Sequence, residues 1–253
     1  YAAKKQKELK EGLQAAYVPL GVLAVAAGLL LLEPDMGAAI VLLAVGMAIL
    51  FVAGMQWRYF LGLGTVLATG AAALIVFEPY RWKRVTGFLN PFDDPFGTGF
   101  QLVQSLIAIG RGELFGVGLG ASVQKLSYLP EAHTDFVFAV LAEEFGFIGV
   151  LCVLALFGLL VWRVLVIARA AAEANLPFQA YVAVSFGVWV GLQAFFNIGV
   201  NMGILPTKGL TLPMLSNGGT SLLVALFWLG IVLRIGHESN LSGRSALPKK
   251  AKT

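Results

Sequence analysis

The chain has 253 residues, 58% of them hydrophobic and 13% charged, with a net charge of +4 and a mean hydropathy of +0.82. Charged residues are about half as frequent as the roughly 25% of soluble domains, and a soluble core of this length cannot bury so much apolar surface. An ordinary cytosolic enzyme, a disordered region and, with a single cysteine (Cys152) inside an apolar run, a secreted disulfide scaffold are excluded, which leaves a polytopic membrane protein.

The chain opens with the charged run KKQKELKE, which lacks the short basic region and cleavage site of a secretory signal. A helix needs about 20 apolar residues to cross a bilayer core roughly 30 Å thick. Six stretches qualify: Leu13–Leu32, Met36–Met55, Tyr59–Phe77, a long one from Phe136 to Val166, Phe178–Val200 and Gly218–Ile235. Their lengths are helical and they lack dyad alternation, so the expected fold class is all-α, a polytopic transmembrane helix bundle, rather than a β-barrel. Six spans place both ends on one side. That side carries twelve Lys and Arg against six on the other, which predicts cytoplasmic termini. Residues 1–240 read as one transmembrane domain with an extracytoplasmic loop at 78–135. Residues 241–253 form a basic cytoplasmic tail (Arg244, Lys249, Lys250, Lys252), disordered by composition and suited to anionic lipid.

The outer segments hold the chemistry. EPDMG (Glu33–Gly37) bends the first outer turn, with Glu33 and Asp35 as acids at a helix start or as cavity lining. EPYRWKRV (Glu78–Val85) crowds Arg81, Lys83 and Arg84 beside Tyr80 and Trp82. This is either an interfacial belt or, on the side where cations are disfavoured, a site for an anionic lipid headgroup such as a pyrophosphate. NPFDDPFGTG (Asn90–Gly99) is turn chemistry, and Asp93 and Asp94 fit no calcium-loop spacing. QLVQSLIAIG (Gln101–Gly110) puts Leu102, Leu106 and Ile109 on one helical stripe, with Gln101, Gln104 and Ser105 elsewhere, as in a short interfacial helix. Gly116, Gly118 and Gly120 read as flexible loop, because no strand-then-helix setting makes them a nucleotide fingerprint. The loop as a whole, poor in charge, is expected to be ordered and folded back on the membrane.

LPEAHTDFVFAVLAEEFG (Leu129–Gly146) concentrates the reactive groups. Thr134 or Asp135 is placed to cap a helix from Phe136. A carboxylate at the mouth of an apolar span is also partly desolvated, which strengthens it as a base. His133 and Glu131 lie within a turn of Asp135. Glu143 and Glu144 are intramembrane acids, costly unless they face a bundle interior or wet cavity. Glu143, about 80° round the helix from Asp135, is the expected neighbour of an Asp135 site. On the last outer turn (Asn201–Ser221), prolines and glycines forbid a long helix, and Lys208 is the one cation, either snorkelling or contacting phosphate.

Taken together, EPDMG, EPYRWKRVTGFLNPFDDPFGTGFQ, LPEAHTDFVFAVLAEEFG and NIGVNMGILPTKGLTLPMLSNGGTS resemble the SEDS family of bacterial cell-wall proteins, in order, from roughly Leu13 to Ile235. PTKGLTLP and EPYRWKRV are more similar to the family's division members than to its elongation members. Asn217 stands where the family usually has an aromatic, and Thr220 where it has serine. The family has ten helices, and the six here match its last six. The resemblance implies a peptidoglycan glycosyltransferase that polymerises lipid II into glycan strands outside the cytoplasmic membrane, with Asp135 of HTDF as the essential aspartate. It implies substrate contacts from Lys208, Arg81, Lys83, Arg84, Glu143, His133, Ser216, Thr220 and Ser221. No cofactor is required, with a divalent cation (Mg or Mn) left as an option. The expected partners are lipid II and nascent glycan, a class B penicillin-binding protein, other divisome proteins and membrane lipid, without nucleic acid. A lipid II flippase and a non-catalytic scaffold recruiting a transpeptidase stay open.

Overall fold

A computed structural model describes residues 1–125, 129–207 and 209–245, without the side chains of 80, 81 and 242–245. Among the described residues the regular structure is all helical. Helix α1 (Gln6–Glu11) and a 3-10 turn (Leu13–Ala16) lead into α2 (Tyr17–Leu32), α3 (Met36–Val52) and α4 (Trp57–Val76). Two helices occupy the long loop, α5 (Pro79–Leu89) and α6 (Phe100–Arg111). Then come α7 (Val137–Glu173), α8 (Pro177–Asn201) and α9 (Gly219–Ser245).

Five stretches are long and apolar enough to cross a membrane, namely Leu13–Leu32, Trp57–Val76, Val137–Glu173, Pro177–Asn201 and Gly219–Leu241. The remaining expected span, Met36–Met55, is shorter than its apolar run: α3 has 17 residues, at the low end of what crosses a bilayer. It begins where Asp35 accepts a hydrogen bond from the Ala38 N–H at 2.9 Å, an N-cap. It ends where Gly54 adopts φ +104°. No residue of α4 is buried, an all-round apolar exposure suited to lipid. Helix α7 closes with Asn175 at φ +59° and bonds from the Leu176 N–H to the Ala171 carbonyl (2.9 Å) and from Asn175 to Ala172 (3.1 Å). This is a Schellman stop, after which Pro177 starts α8.

The chain divides into two compact units. One comprises residues 1–60, 159–190 and 223–245. In it Phe186 is fully buried and lies near Trp189 and Trp228, whose rings stack at 5.5 Å. Helix α1 is fixed by its buried Leu9 and by the Gln6 amide donating to the Tyr181 hydroxyl.

The other unit takes 61–125, 129–158, 191–207 and 209–222 and contains the whole candidate site. One apolar cluster joins Phe138, Ala142 and Val150 of α7 to Ala194 and Ile198 of α8 and to Leu212. A second joins Ala108 of α6 to Leu129, Ala132, Phe136 and Ala139. Helix α5 was not evident as a helix in the sequence; Pro79 sits at its first positions, where a missing N–H costs nothing. Helix α6 forms where expected and packs on protein: it buries Leu102, Val103, Ser105 and Ala108, Ile109 of the expected stripe is partly buried against both clusters, and the Ser105 hydroxyl donates to the Asn201 carbonyl at 2.8 Å.

Candidate active site

The segment before α7 is anchored by alternation. Leu129, Ala132 and Phe136 are buried, while Glu131 and His133 are exposed and Asp135 is half-buried. Glu131 turns the chain at φ +55°, and its carbonyl accepts from the Thr134 N–H (3.1 Å) and the Phe136 N–H (3.2 Å). The Thr134 hydroxyl donates back to the Glu131 carboxylate at 2.7 Å, so Thr134 closes this turn and does not cap α7.

Each of the next three carbonyls is held from elsewhere in the unit. The Asn217 N–H donates to the His133 carbonyl at 2.8 Å. The Ser216 hydroxyl donates to the Thr134 carbonyl at 2.5 Å and accepts from the Leu212 N–H at 2.7 Å. The Asp135 carbonyl accepts from the side-chain amides of Asn197 at 2.8 Å and Asn201 at 3.0 Å. The backbone of His133–Asp135 is therefore clamped by α8 and by the loop before α9.

The Asp135 carboxylate is left over. Among the described residues no group donates a hydrogen bond to it. It lies against the backbone of Gly209, where a Cβ would stand 3.0 Å from Oδ2. Burial, and secondarily the nearby Glu131 charge, push its pKa above the usual carboxylate value. The capping role open to Asp135 is taken by another residue: Asn201 Oδ1 accepts from the Ala139 N–H at 3.1 Å. An unbonded, half-desolvated carboxylate on a rigid backbone is a poised proton acceptor.

Glu143 has the opposite environment. It is fully buried, and its carboxylate accepts from Arg111 at 3.1 Å, the Ser122 hydroxyl at 2.5 Å and the Val123 N–H at 3.3 Å. Glu144 pairs with Lys125. These pairs flank a break in α7, where Gly146 has φ 65°, ψ −164°. An unbroken helix would join Glu143 to Phe147 and Glu144 to Ile148. Instead the Val117 N–H donates to the Glu143 carbonyl at 2.9 Å, and the Gly118 N–H to that of Glu144 at 3.1 Å. The Phe147 and Ile148 N–H groups donate to the carbonyls of Glu113 (2.9 Å) and Leu114 (3.3 Å). The glycine loop thus gives partners to all four of these backbone groups, as irregular backbone in a membrane helix requires. A Cβ on Gly116 would overlap the Glu144 carbonyl, and one on Gly146 the Gly116 nitrogen. Gly116 and Gly118 are docking contacts, not the flexible loop expected of them.

The other expected residues distribute unevenly. Ser216 is buried, with its hydroxyl spent on the clamp. Thr220 and Ser221 are exposed in the first turn of α9, and Ser221 donates to the Gly218 carbonyl. Lys83 and Arg84 are exposed on α5. Lys83 helps to lower the Asp94 pKa, after the larger effect of hydrogen bonds from Thr98. Asp94 accepts from the Thr98 N–H at 2.9 Å, so it is the structural turn acid expected. Lys208, the side chains of Arg81 and Arg244, and residues 246–253 of the basic tail fall outside the described residues, while 241–245, expected to be part of a disordered tail, continue α9. Sequence reasoning passed over Asn197 and Asn201, although two amides four apart in an apolar helix are a legible signal. It also passed over Gly209, and over Arg111 and Ser122 as partners of Glu143, which carry no local signature.

Residues 1–241 match the family model described as cell cycle protein, FtsW/RodA/SpoVE. The chain is 54% identical over 251 residues to a probable peptidoglycan glycosyltransferase FtsW of Alkalilimnicola ehrlichii, covering 99% of this chain and 62% of that protein. It is 52% identical over 239 residues to one of Coxiella burnetii, covering 94% and 63%. Its fold is similar to a chain solved in work on structural coordination of polymerization and crosslinking by a peptidoglycan synthase complex. That likeness has a TM-score of 0.68 and 38% identity, over 88% of this chain and 62% of that one. The crystal structure of the Thermus thermophilus rod shape determining protein RodA gives 0.61 and 31%, over 92% and 61%. The chain thus spans about three fifths of the length of the curated relatives it matches. With its apolar helices, this multi-pass membrane protein belongs to the FtsW/RodA/SpoVE family of cell cycle proteins.

Proposed function

We propose that this chain carries the reaction centre of a division-type peptidoglycan glycosyltransferase that polymerises lipid II at the outer face of the bacterial cytoplasmic membrane, with both ends of the chain in the cytoplasm. The observation that carries the reading is the Asp135 carboxylate, half-desolvated and without a hydrogen bond from any described residue, on a backbone clamped at three successive carbonyls. The names of relatives about 50% identical support the same activity.

Asp135 takes the proton from the acceptor sugar's 4-hydroxyl. The oxygen bonds to the anomeric carbon of the donor, and the bond to undecaprenyl pyrophosphate breaks with inversion. The leaving anion needs positive charge where it develops. Lys83 and Arg84 on α5, Arg81 beside them in sequence, and Lys208, the residue before Gly209, are the proposed sources. His133, Glu131 and the exposed hydroxyls of Thr220 and Ser221 are proposed to border the substrate, while Glu143 and Ser216 support the site from behind. Among the described residues no group of three or more His, Cys, Asp and Glu is arranged to hold a metal. A class B penicillin-binding protein and other divisome proteins are the proposed partners, a reading that the likeness to a polymerising and crosslinking complex supports.

Polymerisation of purified lipid II by the full-length protein with its transpeptidase tests this. Asp135→Asn is expected to lower the rate about 10²–10⁴-fold, the usual range for a lost general base. An Asp135→Asn protein that still moved labelled lipid II across a bilayer but made no glycan separates the transferase from a flippase. Polymerisation at the wild-type rate would remove Asp135 from the chemistry. Loss of polymerisation with normal division would favour the scaffold.

A further inference from the structure

The donors to the Asp135 carbonyl are two amides from one face of α8, and they do more than a helix cap requires. We propose that Asn197 and Asn201 are positioning residues that aim the Asp135 carboxylate, a role that rests on the reading of Asp135 as the base.

Four residues apart, Asn197 and Asn201 share a helix face. They are 1% and 0% exposed, in a helix apolar enough to span a membrane, where an amide is tolerated only if its polar atoms are bonded. Asn201 grips α7 at two points. Its Nδ2 donates to the Asp135 carbonyl at 3.0 Å, and its Oδ1 accepts from the Ala139 N–H at 3.1 Å. Together these set the residue bearing the carboxylate against the first turn of the helix that follows. Asn197 connects the same carbonyl to the opposite wall. Its Nδ2 also donates to the Leu210 carbonyl at 2.5 Å, next to Gly209, which faces Asp135 Oδ2. The pair is cross-braced, since Asn201 Nδ2 also donates to the Asn197 carbonyl at 2.8 Å.

Capping α7 needs only an acceptor, which Asn201 Oδ1 provides. The two N–H donors on the Asp135 carbonyl fix instead the direction in which its Cα–Cβ bond points and its distance from the Gly209 wall. Proton transfer is sensitive to both, because small misplacements cost about 10²-fold in rate.

The test uses the full-length protein with its transpeptidase partner and purified lipid II. It compares Asn201→Asp, Asn201→Ala and Asn197→Ser, each in wild-type and Asp135→Glu backgrounds, with rates per folded molecule and melting temperatures on the same samples. Asn201→Asp keeps the acceptor for Ala139 but replaces the donors with a carboxylate, so the uncharged Asn201→Ala and Asn197→Ser are read beside it to separate lost donors from added charge. In the wild-type background kcat is expected to fall about 10- to 100-fold, with KM changed less than about 3-fold. In Asp135→Glu, whose carboxylate is already displaced, the same changes should cost less than about 3-fold. Unchanged kcat in the folded variants, or equal losses in both backgrounds, would overturn the proposal while Asp135→Asn stays inactive. If Asp135→Asn itself polymerises at the wild-type rate, the base reading fails, and that outcome is visible without any Asn variant.

Discussion

Asp135 and Glu143 stand eight residues apart, one at the mouth of α7 and one inside it, and the unit treats them in opposite ways. Glu143 is the more deeply buried, yet its carboxylate meets a guanidinium, a hydroxyl and a backbone N–H. Asp135 is only half-buried, yet its carboxylate accepts no hydrogen bond among the described residues, while its carbonyl accepts two. On the proposed reading, burial does not distinguish a working acid from a structural one; the distribution of donors does. An anion met by a cation and two further donors is a fastener. One whose backbone is bonded and whose charge is not remains free to accept a proton.

Five substitutions at four positions would break or sharpen this contrast, and the largest effect belongs to Asp135. Asp135→Asn should cost about 10²–10⁴-fold in polymerisation, and Asp135→Glu about 10²-fold, both read in a lipid II assay. Next is the break in α7. Gly146→Ala places a Cβ in backbone of the docked loop at a φ, ψ pair that only glycine adopts readily, and should lose about 3 kcal/mol or more, seen as a lowered melting temperature in detergent. Glu143→Leu should cost about 3 kcal/mol: it strands the buried Ser122 hydroxyl and the Val123 N–H, while Arg111, 46% exposed, turns to water. Ser216→Ala should cost about 1–2 kcal/mol, because the Leu212 N–H and the Thr134 carbonyl lose their partner.

The smallest effect concerns pH and has a definite sign. A carboxyl whose folded pKa is raised binds its proton more tightly in the folded chain than in the unfolded one. Its ionisation therefore destabilises the fold as pH rises from the ordinary value near 3.8 through the raised one. Asp135→Asn should match or exceed the wild type in melting temperature at neutral pH, with the difference vanishing at lower pH. The polymerisation rate of the wild type should fall with acidification at a pH above the usual carboxylate range, a limb that the Asn variant lacks.

The fold was legible where one solvent decides it. Apolar length alone located the long apolar helices, and Asp35 caps as a turn acid should. Asp135 was legible as a carboxylate at the lip of an apolar span. What the sequence hid is tertiary. A glycine at 146 in an apolar run is ordinarily a tolerated helix residue, and nothing local says that 113–118 will supply four bonds in place of the two that its break removes. Glu143 read as a neighbour of Asp135 because its angle on an ideal helix is right; its partners come from α6 and from Ser122 and Val123, far off in sequence. Ser216 read as a substrate contact because hydroxyls near a site invite that role, while its buried hydroxyl closes the clamp.

The most direct test of the contrast measures melting temperature and lipid II polymerisation on the same purified samples of Asp135→Asn and Glu143→Leu in the full-length protein. Asp135→Asn should melt at or above the wild type and be nearly inactive, because Asn removes a charge that no described residue bonds and leaves the clamp on the carbonyls intact. Glu143→Leu should melt lower and retain measurable polymerisation in the molecules that stay folded. An Asp135→Asn protein that melts well below the wild type and polymerises at its rate would show that Asp135 is the fastener, and would contradict the account.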